Sequence, residues 1–447
     1  MPAVYPFRAV QYAAVSDLST RVAPPYDVLD RGSKDALLDR DPRNIVAIDL
    51  PHLPAKELGP PAAYEAAGAT YRDWLANGLL KRRQTPAMFA YRQTFQSDGR
   101  SVQRTGMACA IACVPFGPRA GGGILPHEQT FSGPKEDRLA LMRATRAQLS
   151  PVFGLHHDAA GRARSLLAGI VGSKPADVTA RTADGVLHEV WTIESTGAIA
   201  AYADALAGED VFIADGHHRY NTALNYLAAL EATGPVGPDH PARRSLVVLV
   251  GMSDPGLVIW PTHRVLGGMS GYSFERFQTA AAEQLRFFDV TGGLTELDLA
   301  LRSRDDLGGP RLGLHDFATG RGVLAVPRSA DPLARIFGNK PEAWRQLDVA
   351  FCQHILVDGI CQPKLNNGAP VKWAFPHTIA EVEDIGRGQE RGSGGGSAFA
   401  PQLAVLVRPT PLDSVRAVSA AGELMPQKST FFYPKLATGL FINPLGE

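Results

Sequence analysis

The chain has 447 residues, 45% of them apolar and 20% charged, and its 45 basic side chains balance its 45 acidic ones. That is a globular composition with a prior of two or three domains, and nothing at whole-chain level suggests a polyanion partner, a local basic pocket being left open. No run of about 18 apolar residues occurs, and the opening MPAVYPFRAV lacks a basic flank before an apolar core. Neither a membrane span nor a secretion signal is expected, and the reading is a cytoplasmic protein.

In chain order, RGSKDALLDRDP predicts a short helix and NIVAIDLP a strand. AAYEAAGATYRDWLANGLL predicts a helix ended by Asn77-Gly78. Two strands follow around the Asp98-Gly99 turn, a hairpin signal. Cys109 and Cys113 share a face of the second strand; these two, with Cys352 and Cys361, form no CxxC pair and are expected to be reduced thiols. In FSGPKEDRLALMRATRAQ, Ser132 or Gly133 caps a helix, Pro134 takes its first position and Glu136 and Asp137 suit its first turn.

The middle of the chain alternates. LHEVWTIES and DVFIAD predict strands, GAIAAYADALAG and RYNTALNYLAALEATG helices, and RRSLVVLVGMS and GLVIWPTHRVL two further strands. Such alternation predicts layered α/β structure. Beyond residue 270 come a helix in SFERFQTAAAEQL, a hairpin in RLGLHDFATGRGVLAVP, a helix in LDVAFCQHILVDGI and strands in VKWAF and QLAVLVRP. GRGQERGSGGGSAFA reads as a flexible low-complexity loop. Three segments are expected: a mixed α/β segment over 1–155, a core over 156–270 and an α+β segment over 271–447.

The stretch FIADGHHRYNTALNYL, 212–227, runs an apolar strand through Asp-Gly-His-His-Arg into a helix. A helix start leaves backbone N–H groups without partners and carries positive dipole character. Gly216 permits a tight turn, Arg219 offers a planar fork to phosphate oxygens, and His217 and His218 add donors. Asp215 is placed to hold a metal ion or to orient a hydroxyl. The alternative is a plain strand-to-helix corner with solvated histidines. Neither GxxxxGK[ST] nor GxGxxG is present, and adjacent histidines cannot easily share one tetrahedral zinc ion. Four other polar clusters stand out: Tyr26 and Asp27 in VAPPYDVLD, His127 and Glu128 in LPHEQTFSGPKEDR, His263 and Arg264 in PTHRVL, and Lys428 with Lys435 in MPQKSTFFYPKL. Stiffened loops with cationic donors and isolated acids are what phosphoryl transfer requires.

AVYPFRAVQY, VAPPYDVLD, LPHEQTFSGPKEDRLALMRATRAQLSPVFGL, IADGHHRYNTALNYL, WPTHRVL and MPQKSTFFYPKLATGL together resemble the bacterial and archaeal family catalogued as domain of unknown function 1015. ADGHHRYNTAL is similar to the phosphate-site motif of the ParB/sulfiredoxin superfamily, whose free-serine kinases carry an Asp-Gly-His-x-Arg version. That resemblance implies an α/β fold, mixed α+β overall, with a ParB/sulfiredoxin-like core among additional mixed α/β segments. It implies phosphate contacts from Gly216, His217, His218 and Arg219, with Asp215 beside the transferred group. His263, Arg264 and Lys428 would add charge; Asp215, Asp27 and Glu128 are the candidate catalytic acids, and Asp215 the candidate ligand of Mg2+. Sulfiredoxin chemistry needs a cysteine at this corner, where His217 stands.

The expected function is a nucleotide-dependent phosphotransferase acting on a small hydroxylated metabolite, free serine for example, with ATP, ADP or CTP as donor. No nucleic-acid or membrane partner is expected. The alternatives are a non-catalytic nucleotide sensor and a metal-dependent hydrolase.

Overall fold

The computed structural model describes residues 3–13, 15–55, 57–128, 132–388 and 399–446, without the side chains of 132–134. The proposed capping by Ser132 or Gly133, with Pro134 after it, and most of the low-complexity loop therefore lie outside what is described. The architecture is mixed α and β, in two compact units. One comprises Met1–Pro126, Thr130–Val258 and Pro434–Glu447; the other comprises His127–Gln129 and Ile259–Tyr433.

A nine-stranded mixed sheet organises the first unit. Its order is Ile124–Leu125, Val211–Asp215, Val152–His156, Arg244–Gly251, Arg100–Ala112, Met88–Ser97, Leu187–Ile193, Val178–Arg181, with Val4–Tyr5 paired beside the far end of Arg100–Ala112. The hairpin forms at the Asp98-Gly99 turn: both residues have positive φ, 48° and 71°, the conformation that matches strand twist. Its register pairs Ser97 with Arg100 and Phe89 with Ala108. Met107, Cys109 and Ile111 point to one face of this strand and join Ile213, Val247, Leu249, Trp191 and Tyr202 in a core. Cys113 lies just beyond the strand and is half-buried; all four cysteines are free thiols.

Three differences from the sequence-based expectation have plain causes. NIVAIDLP forms the short helix Val46–Asp49 instead of a strand, because its backbone bonds close locally, Asp49 N–H to the Ile45 carbonyl, and the Asn44 side chain accepts from Val46 N–H. A short apolar run fits either structure when it is buried all round. Strand Val152–His156 was not expected; all five of its residues are buried, so no alternation marks it. GLVIWPTHRVL is two strands, Val258–Trp260 and Arg264–Gly267, separated at Pro261.

The second unit holds a six-stranded antiparallel sheet in the order Leu285–Val290, Gly322–Pro327, Leu312–Asp316, Pro401–Leu406, Arg264–Gly267, Lys372–Ala374. Alternate residues serve two cores. Leu266, Leu314, Val323 and Val405 pack with helix Phe274–Ala281 and the π-helical segment Cys352–Leu365. Val265, Leu324, Ala404 and Leu406 pack with helices Leu294–Ser303 and Ile379–Gly386.

The expected segment limits fall inside these units. The 155/156 limit cuts strand Val152–His156, and the 270/271 limit separates Leu266 from Phe274, which share a core. Residues Pro434–Glu447 return to the first unit.

Candidate active site at a strand-to-helix corner

Strand Val211–Asp215 is buried through Ala214 because sheet neighbours flank it on both sides, and it surfaces at a half-buried Asp215. Gly216 then takes φ 88° and ψ 27°, and helix His217–Glu231 begins without a side-chain cap. Glycine is required twice over. The conformation is left-handed, and a Cβ here would lie 3.0 Å from both Cζ and Nε of Arg219. The close approach that Gly216 permits is thus to this guanidinium.

Arg219 is turned inward. It is 9% exposed and donates to Asp215 Oδ2 at 2.5 Å and to the Pro151 carbonyl. The other carboxylate oxygen, Asp215 Oδ1, accepts from Lys435 Nζ at 2.9 Å. Burial alone would raise the Asp215 carboxyl, but Lys435 and then Arg219 outweigh it and hold it far below the usual carboxylate range. Asp215 is therefore an ionised bridge between two cations, and both its oxygens are engaged. That does not fit the expected role of Mg2+ ligand, since an added cation would face two positive charges. Among the described residues, no group of three or more His, Cys, Asp or Glu side chains is placed to hold a metal ion. His217 is buried and His218 half-buried in the first helical turn.

Behind Arg219 lies a cavity of about 40 Å³, bordered by Tyr26, Asp49, Arg138 and Ser150. It has room for water and none for a nucleotide. Arg138 sits 3.8 Å over the Tyr26 ring and donates to Asp137 at 2.7 Å, while burial pushes the Asp49 carboxyl up. Asp27 adjoins Tyr26 in the short 3-10 turn Tyr26–Val28. Its Oδ1 is buried without a hydrogen-bond partner among the described residues, an arrangement that costs free energy unless a donor arrives.

The remaining sequence-derived candidates belong to the second unit. His263 is 1% exposed; burial, and then Arg264, hold its ring down to about 3, so it is neutral, and its Nδ1 accepts from Val407 N–H at 3.2 Å. Arg264 is also buried and donates to the carbonyls of Thr262, Gln427 and Lys428. Their expected part in binding phosphate does not fit this burial: one has no charge and the other spends its donors on backbone. Glu128 Oε1 accepts from Lys428 N–H at 3.2 Å, and Lys428 itself has φ 58°, so that contact is made by its backbone.

Lys435 was missed as a site residue. It lies in the same MPQKSTFFYPKL motif as Lys428, seven positions on, and local sequence gives no reason to prefer one lysine over the other. The distinction comes from the chain return that brings Pro434–Glu447 to the first unit, where the Lys435 carbonyl accepts from Gln93 Nε2 at 2.9 Å.

A family model described as protein of unknown function, DUF1015, matches residues 4–350. No curated protein matches the chain. Among solved structures, a free serine kinase in complex with AMP is 13% identical, with a TM-score of 0.33 over 73% of this chain and 95% of that one. A mutant free serine kinase with ADP gives 12% identity and a TM-score of 0.32 over the same shares. SbnI from Staphylococcus aureus, truncated at its C-terminus, gives 12% and 0.31 over 72% of this chain and 84% of that one. At these TM-scores the likenesses decide neither fold nor chemistry for this chain.

Proposed function

The chain belongs to the DUF1015 family, whose description assigns no activity, and we propose from its own residues that it binds a nucleotide at the 215–219 corner and transfers a phosphoryl group to a small hydroxylated acceptor such as free serine. In this reading the corner is the phosphate site of a ParB/sulfiredoxin-like core. The observation that carries the proposal is an uncapped N-terminus, that of helix His217–Glu231, opening directly from a strand end, with Lys435 Nζ 2.9 Å from Asp215. Such a terminus presents backbone N–H donors and positive dipole character to an anion.

The roles differ from those the motif alone suggests. Gly216, His217 and His218 form the helix start at which the phosphates would lie. Arg219, turned inward, holds Asp215, and Asp215 holds Lys435 beside the corner. An arriving phosphate competes with Asp215 for the Lys435 ammonium, so binding exchanges one anion partner for another. Asp215 is a poor base near neutrality because two cations stabilise its ionised form. Asp27, with its orphan Oδ1 in the same unit, is the better candidate for receiving the acceptor's proton.

The depressed Asp215 carboxyl also favours a second reading, a nucleotide sensor without turnover. One experiment separates the two. The full chain is incubated with ATP or ADP, Mg2+ and serine, phosphoserine is followed by mass spectrometry, and nucleotide affinity is measured by calorimetry. Phosphoserine formation supports the kinase, binding without product supports the sensor, and absence of binding removes both. Lys435→Ala should weaken nucleotide affinity about tenfold or more, the effect of losing one charge-assisted contact; unchanged affinity would leave the corner a purely structural joint.

A further inference from the structure

Away from the corner, the first unit contains a cleft of about 1070 Å³ that the proposed activity does not use. Five separate stretches of chain build its cationic and aromatic lining. Helix Pro61–Ala76 contributes Tyr71 and Arg72, and strand Leu80–Arg82 contributes Arg82. Arg143 and Arg146 come from the end of helix Ser132–Thr145 and the residue after it. Tyr226, near the far end of the helix that starts at His217, and His240 complete it.

Four arginines thus line the cleft, and among the described residues no carboxylate lines it or forms an ion pair with Arg72, Arg82, Arg143 or Arg146. This is unusual in a chain of zero net charge whose other arginines are widely paired, Arg138, Arg219, Arg244 and Arg311 among them. Repulsion among like charges opposes such a grouping unless an anion offsets it. The dipole of helix Ser132–Thr145 favours cations at its C-terminal end, which accounts for Arg143 and for Arg146, whose N–H donates to the Met142 carbonyl, but for neither Arg72 nor Arg82.

A second observation is independent of charge. Tyr71 lines the cleft and is 4% exposed, and its hydroxyl is buried with no hydrogen-bond partner among the described residues; Nε of Arg82, another lining residue, is likewise buried and unpartnered. Buried polar atoms left unsatisfied cost free energy, and two on residues that line one cleft point to a missing acceptor. Arg82 is close enough to Tyr71 to bear on its ionisation, and Arg146 and Arg143 bear likewise on Tyr226. Both sets line the one cleft.

We propose that this arginine cleft is a binding site for a small metabolite carrying a diphosphate or triphosphate group. A single carboxylate would satisfy one fork, whereas a polyphosphate chain offers several planar acceptor pairs to four. The volume suits a metabolite of nucleotide size, and Tyr226 supplies an aromatic wall for its organic part. A nucleic-acid partner is disfavoured by the concave shape and by the absence of net positive charge.

The test uses the full chain and inorganic pyrophosphate, titrated by calorimetry. Wild type should bind, and raising the salt concentration should weaken the binding. Joint substitution of the exposed Arg143→Ala and Arg146→Ala should weaken it at least about tenfold. Lys435→Ala should remove any pyrophosphate binding at the corner and leave the binding that depends on Arg143 and Arg146, so the two sites fail separately. Tyr71→Phe guards against loss of fold. It should weaken pyrophosphate binding while the ligand-free melting temperature holds or rises, because an unsatisfied hydroxyl is removed. The proposal is overturned if wild type does not bind pyrophosphate, if the double arginine variant binds as wild type does, or if only Lys435→Ala reduces the binding.

Discussion

Asp215 shows how one side chain can tie a site to the stability of its fold. Its carboxyl is held low by Lys435 and Arg219, so the folded state binds its proton less readily than the unfolded chain does. The sign follows: its contribution is complete above the unfolded value, about pH 4, and is lost progressively as pH falls below that. Asp215→Asn should lower stability near neutrality, since Arg219 is left buried without its anion, and should flatten the acid limb of a plot of melting temperature against pH. An acid limb identical to that of wild type would show that the bridge does not form. Gly216→Ala meets two penalties at one position, a left-handed backbone and a Cβ 3.0 Å from the guanidinium carbon. It should cost about 1–3 kcal/mol in urea unfolding.

Helix starts differ in their capping. Ser273 caps Phe274–Ala281, its Oγ accepting from Arg276 N–H at 3.2 Å, and Ser195 and Thr378 cap theirs in the same manner. Helix His217–Glu231 has no side-chain cap. Ser273→Ala should therefore cost about 1 kcal/mol, measured by urea unfolding, as loss of an ordinary N-cap does. No cap remains to be lost at His217. Most elements were legible from local pattern: the hairpin from Asp98-Gly99, the helix from SFERFQTAAAEQL, the corner from DVFIAD followed by RYNTAL. Strand Val152–His156 was not, because all five of its residues are buried and show no alternation, and helix Val46–Asp49 was not, because a single turn is too short to show a period.

For the whole molecule, the decisive feature is the return of Pro434–Glu447 to the first unit. This segment brings Lys435 to Asp215, and the Pro434 carbonyl accepts from Arg104 Nη2 at 2.5 Å. Asn443–Pro444 pairs with Ala147–Gln148. Arg104 is 1% exposed, and burial lowers its pKa to about 10. Deleting residues 434–446 would strand that charge and remove the corner's lysine. Truncation should therefore destabilise the first unit as a whole, seen as a lower melting temperature and faster limited proteolysis, with nucleotide binding lost. A truncated chain as stable as wild type would show that the segment only decorates the unit.

By itself the sequence determined the mixed α/β character, the hairpin turn, the strand-to-helix corner and the family, because each is written in residues a few positions apart. The tertiary structure alone decided that Arg219 faces inward, that Lys435 and not Lys428 meets Asp215, that His263 and Arg264 are interior, and that four arginines from distant stretches share a cleft. The physical reason is the range of the interactions. Turn chemistry and periodicity act along the backbone, whereas the partner of a charge is chosen by burial and by whichever distant segment the fold carries to it.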